Sequence, residues 1–176
     1  MALEKWLLED VALNSPTLLE STLLRLVCGS CNIAITAVAA SVANVHPSRC
    51  GKIVTLLLKT PPFIHVDRVR WMNDTRHAGW HGGWFSENQQ FLKERLRSNE
   101  LPHRKESIEQ TILKAQFGAA RTELWAVLDG YYAALAAEVE QETEETRVFR
   151  LLLHRIDARN LIPQPSGEGT NRILFV

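Results

Sequence analysis

The residues in this chain that most resemble a metal site are Cys28-x2-Cys31-x14-His46-x3-Cys50. Thiolates and imidazoles at comparable spacings hold zinc at about 2.0–2.3 Å per ligand. Here the fourteen residues between the two halves read as one continuous helix, which at about 1.5 Å per residue separates them by about 20 Å. Ligands at opposite ends of a helix cannot share an ion. The cysteines are therefore expected to be buried and inert, with no metal bound.

A second set is Asp74 with His77-x3-His81. Histidines at i and i+4 share a helical face, and with a carboxylate they could serve a metal-dependent hydrolase. Gly79, Gly82 and Gly83 argue against a helix there, and no glutamate follows His77. The stretch from Thr75 to Phe85 reads instead as a loop carrying two tryptophans, two histidines and three glycines. Trp80 and Trp84 either fold back over the core or stand as anchors for a partner, since tryptophan is enriched at binding hot spots. His77, Trp80, His81 and Trp84 are thus the candidate partner-binding residues. Asp67-x-x-Arg70 with Arg68, and the run Arg155-Ile156-Asp157-Ala158-Arg159, read as ion pairs between helices.

Motifs of catalysis are missing. The sequence has no Gly-x-x-x-x-Gly-Lys-Ser/Thr loop, no Gly-x-Gly-x-x-Gly and no Gly-x-Ser-x-Gly elbow, so neither a nucleotide site nor a serine nucleophile is expected. The reading is of a non-enzyme without a cofactor. Twenty Lys plus Arg balance twenty Asp plus Glu, which provides no electrostatic footprint for nucleic acid or anionic lipid. Leu26 to Val45 is uncharged for a membrane-spanning length, but Gly29, Ser30, Asn32, Thr36, Ser41, Asn44 and many alanines suit a buried core helix better. Ile33 to Val45 is accordingly expected to be the most buried helix. Few cysteines and no apolar leader point to the cytoplasm.

The elements that must position these residues are helices. Apolar residues recur at 3.6-residue spacing from Leu3 to Val11, Leu18 to Val27, Ile53 to Leu58, Phe63 to Trp71, Phe91 to Leu96 and Val148 to Ile156, with a long tract from Lys105 to Glu138 broken near Gly118. Pro61-Pro62 and other prolines punctuate them. Sustained strand alternation is missing. The expected fold is all-α, a stack of helical hairpins loosely like HEAT or armadillo repeats. Residues 1–162 form the helical domain, and 163–176 a flexible tail or the start of a following segment.

Two segments carry a resemblance. One runs from Asn32 to Pro47 (NIAITAVAASVANVHP) and continues through Leu56 to Phe63 (LLLKTPPF) and Asp67-Arg68-Val69-Arg70; the other is Arg147 to Arg159 (RVFRLLLHRIDAR). Together they resemble the helical, non-ATPase region of large bacterial STAND-type NTPases, signal-transduction ATPases with numerous domains similar to antiphage defence proteins. The resemblance implies a helical interaction or scaffolding module, a fragment of a larger ATPase. Its partner would be another protein or a neighbouring domain of the same chain. ATP hydrolysis would reside elsewhere, because the family's nucleotide-binding loop has no counterpart here.

Overall fold

The structure, a computed structural model, describes residues 2–12, 18–76, 89–137, 143–161, 163–165 and 173–175. It is all-α. The helices are α1 (Ala2–Trp6, running on into a π turn, Leu7–Val11), α2 (Leu19–Cys28), α3 (Ile33–Val45), α4 (Gly51–Leu58), α5 (Pro61–Arg76), α6 (Gln89–Asn99), α7 (Pro102–Lys105), α8 (Ile108–Ala115), α9 (Arg121–Ala137) and α10 (Glu144–Ile156). Short 3₁₀ turns occupy Pro47–Arg49 and Ala158–Asn160. The tail contributes two three-residue strands, β1 (Pro163–Pro165) and β2 (Ile173–Phe175), paired antiparallel with Pro163 opposite Phe175.

Residues divide into two compact units, Met1–Leu124 and Trp125–Val176, whereas the sequence suggested a boundary at 162/163. In the first unit α4 is the central piece. Five of its eight residues are buried (Ile53, Val54, Thr55, Leu57 and Leu58), and it packs among α2, α3, α5 and α8. Gly51 opens it at a point of close approach, where a Cβ would lie 2.9 Å from the Cβ of Ala120.

Helix α3 corrects one expectation. Its second half is buried at Ala39, Ala40, Val42, Ala43 and Asn44, but Ile33 is 61% exposed and Ala34 and Ala37 are exposed too. The helix is apolar on every side, so its pattern contains no information about which part is covered. Only its C-terminal half is enclosed by neighbouring helices.

Ends of elements follow local chemistry. Asn32 caps α3 by accepting from the Ala34 amide at 2.9 Å. Ser107 and Gln110 form a reciprocal capping box on α8, and Thr143 caps α10 through the Thr146 amide. Phe63 to Trp71 belongs to a longer helix than its apolar spacing marks, sixteen residues from Pro61 to Arg76. The tract from Lys105 to Glu138 is interrupted twice, at 106–107 and at 116–120, the second break including Gly118.

Candidate functional site

Of the residues singled out for partner binding, His77, Trp80, His81 and Trp84 lie outside the described residues. Asp74, the carboxylate grouped with those histidines, is described and buried. Its Oδ2 accepts from Arg70 Nη1 at 3.1 Å and lies 3.7 Å from Arg104 Nη1. A carboxylate held between two guanidinium groups is a poor ligand for a cation, because those charges must be displaced first. Among the described residues no group of three or more His, Cys, Asp or Glu could hold a metal ion.

Asp74 belongs to a buried polar network on the inner side of α5. Asp67, two turns earlier, accepts from Arg70 Nε at 2.8 Å and from the Ile108 backbone amide at 2.7 Å. Arg70 Nη2 donates to the Glu106 carbonyl at 3.0 Å. Asn44, at the buried end of α3, donates to the same carbonyl at 3.2 Å and accepts from Thr111 Oγ1 at 2.5 Å. Trp71 Nε1 donates to the Lys105 carbonyl at 2.8 Å. The linker between α7 and α8 is thereby tied to α3 and α5 by side chains that satisfy its backbone groups. Asp67 makes a charge-assisted bond to Arg70 and accepts from the Ile108 amide, which makes it an anchor between α5 and the start of α8.

His103 sits at the edge of this network, 5% exposed. Its Nε2 approaches Glu4 Oε1 at 3.3 Å, yet the geometry is misaligned and the nitrogen makes no hydrogen bond. Burial pushes the imidazole below its ordinary value; Glu4 pulls it back up, while Arg104 and Arg70 push it further down.

In the second unit, Asp157 is 2% exposed and caps the turn Ala158–Asn160 through the Arg159 amide. Arg159 folds back on the same carboxylate with Nε at 2.9 Å and Nη2 at 2.8 Å. Its Nη1 reaches Asp129 at 2.7 Å, and its guanidinium lies 5.3 Å from the Trp125 ring centre. Burial raises the Asp157 carboxyl, but hydrogen bonds and charge from Arg159, with a hydrogen bond from Tyr132, outweigh it and hold the group below its ordinary value. The paired runs Asp67–Arg70 and Asp157–Arg159 were read as bridges between helices. Asp67 and Arg70 pair within α5, with Asp67 reaching the α8 backbone and Arg68 lying 3.9 Å from Glu109 of α8; in the second run Arg159 pairs locally with Asp157 and also bridges to Asp129 of α9.

The cysteines divide. Cys50 is buried, and burial, with Glu20 adding and Arg49 subtracting, pushes its thiol up to about 12. It is inert, as expected. Cys28 and Cys31 are exposed, which corrects their expected burial: both flank the open end of α3.

That open end is where a site can form. Cys31, Ile33, Thr36, Pro62, Phe63 and Val66 contribute to a groove of about 350 Å³ between the start of α3 and the start of α5. Its lining includes no charged residue. Ile33 stands 61% and Val66 50% exposed, while Phe63 closes the floor at 6%. Asn32 holds the rim in shape through its cap. A second cleft, of about 430 Å³, lies where the start of α4 meets the turn after α8. There Glu20 Oε1 already accepts from the Lys52 amide at 2.6 Å, so the anion position at that helix terminus is filled by the protein's own carboxylate. The apolar groove has no signal in the sequence, because Ile33 and Val66 are 33 residues apart and each reads as a core position on its own helix.

Among the described residues no helix is long and apolar enough to cross a membrane. Comparison with known proteins finds no match: no family model, no curated protein and no solved structure is similar to this chain.

Proposed function

We propose that this chain is a helical protein-interaction module without chemistry of its own, working in the cytoplasm as part of a larger signal-transduction ATPase of bacterial defence or signalling. The observation that supports it is the uncharged groove at the open end of α3, where Ile33 and Val66 are held exposed over a Phe63 floor. Apolar side chains displayed on a rigid, capped scaffold suit the burial of a partner's apolar residues, and each contributes a few tenths to about 2 kcal/mol when covered. The resemblance of Asn32–Pro47 and Leu56–Arg70 to the helical region of such ATPases falls on the same two helices that make the groove. The proposed partner is a neighbouring domain of that ATPase or a protein bound by it.

The test is the double variant Ile33→Asp, Val66→Asp. Both residues are exposed, so the melting temperature should move by no more than about 2 °C. Affinity for the ATPase region encoded in the same reading frame should fall at least roughly tenfold. Unchanged affinity would remove the groove from the proposal. A reading frame without any nucleotide-binding loop would remove the ATPase.

A further inference from the structure

Helix α10 presents a second exposed stripe, in the other unit. Glu144, Val148, Leu151 and Arg155 recur at intervals of four, three and four residues. On a helix this spacing confines them to an arc of about 60°. All four are exposed, Val148 by 53% and Leu151 by 62%. The buried residues of the same helix, Leu153 and Ile156, lie roughly 110–170° further round the axis. Phe149, which meets Tyr131 edge to face with ring centres 5.2 Å apart, is on that inner side as well. The exposed apolar pair is therefore not the margin of the unit's own core.

Intervals of four and three are those of a coiled-coil seam. The order along the seam is acid, apolar, apolar, base, and the intervals read the same in both directions. We propose that α10 pairs antiparallel with α10 of a second copy of this chain, about a two-fold axis passing between Phe149 and Arg150. That operation sets Val148 against Leu151 of the second copy, and Glu144 against Arg155, twice over. Parallel pairing would oppose Glu144 to Glu144 and Arg155 to Arg155, so the charges select the antiparallel arrangement. Antiparallel helix dipoles act in the same sense. The self-complementary order of charges is what identifies the occupant as a second copy rather than an unrelated helix.

A seam of two apolar residues per copy buries less than the roughly 1,000 Å² of a stable interface. The association is consequently weak, with a dissociation constant on the order of 100 µM. Tethering within a larger assembly would raise its occupancy. The inference does not depend on the α3–α5 groove or on the ATPase.

The experiment is sedimentation equilibrium of the whole chain from roughly 10 µM to 1 mM, with reductant present so that the exposed Cys28 and Cys31 form no disulfides. A reversible monomer–dimer equilibrium is expected. Val148→Ser with Leu151→Ser should abolish it while the melting temperature holds. Glu144→Arg and Arg155→Glu should each weaken dimerisation by roughly tenfold, since each turns two attractions into repulsions. Combining the two reversals should restore it to within about threefold. Should Arg155→Glu alter the melting temperature, the serine pair together with Glu144→Arg carries the result. A chain that stays monomeric at every concentration overturns the proposal. So does a dimer indifferent to Val148 and Leu151, or a double reversal weaker than either single one.

Discussion

Asp67 and Asp157 look alike in the sequence and do different work. Each is an aspartate with an arginine two or three residues later, and each is almost wholly buried. Asp67 reaches 41 residues along the chain to the Ile108 amide, and through Arg70 to the Glu106 carbonyl. Its charge fixes where one segment docks on another. Asp157 caps its own turn, pairs with the arginine two residues away and accepts a hydrogen bond from Tyr132 of α9, while Arg159's outer nitrogen extends to Asp129. The first knot docks one segment on another through backbone groups; the second finishes a helix end and ties that end to α9 through side chains. Proximity in sequence is shared by both, so it is the kind of long-range donor, a backbone amide for Asp67 and a phenol hydroxyl for Asp157, that tells them apart.

The sharpest way to break this contrast is Asp67→Ala. Removing the carboxylate leaves Arg70 with one acid fewer and the Ile108 amide without an acceptor in a buried setting. Breaking a buried pair by removing one partner costs about 3–5 kcal/mol, and denaturant unfolding of the 176-residue chain should register it. Asp67→Asn keeps an oxygen for the amide and should cost less, because it loses the charge but not the acceptor. If the alanine variant lost under about 1 kcal/mol, the docking role assigned to Asp67 would be wrong.

Asp157→Ala is expected to be milder, about 1–2 kcal/mol, the worth of a cap plus a partly exposed ion pair. It also has a pH signature. Arg159 holds the folded carboxyl below its ordinary value, so the folded state binds the proton less readily than the unfolded chain. The stabilisation is complete above the unfolded value of about 3.9 and fades as pH falls from there towards the lower folded value. Asp157→Asn should therefore lose less stability than wild type on acidification below about pH 4. Parallel acid-unfolding curves for the two proteins would contradict the assignment.

What could be read in advance follows the same division between local and distant. Helix existence, the start of α3 at Ile33 and the break near Gly118 all depend on neighbours within a turn or two, and spacing encodes those; cysteine burial does not, and the expectation that holds at Cys50 fails at Cys28 and Cys31. The half-exposure of α3 does not, because a stripe of Ala, Ile and Val looks the same whether or not another helix covers it. Nor does the network at Asn44, Arg70 and Thr111, whose partners are 36 to 67 residues apart. The apolar groove was illegible for a related reason: exposed Ile33 and Val66 carry the same residue types as a core, and only the absence of a covering element distinguishes them. The aromatic segment with Trp80 and Trp84 was conspicuous by composition, and composition remains its whole case.

The smallest effect expected is also the one that most refines the comparison. Arg159 has two carboxylates, and the distances alone would rank Asp129, at 2.7 Å, level with Asp157 at 2.8 Å. Exposure separates them: the Asp129 side chain is 61% exposed and the Asp157 side chain 2%. A charge in water gains little from a nearby guanidinium, since solvent screens the attraction and both side chains surrender rotamer freedom. Asp129→Asn should thus shift stability by no more than about 0.5 kcal/mol, and that shift should shrink further in about 1 M salt. The Asp157 arm, shielded from solvent, should keep most of its effect in the same salt. If Asp129→Asn cost as much as Asp157→Ala, the outer bridge would be a structural member of the unit. Asp129, thirty residues distant in sequence, would then do for the second unit what Ile108 and Asp67 do for the first.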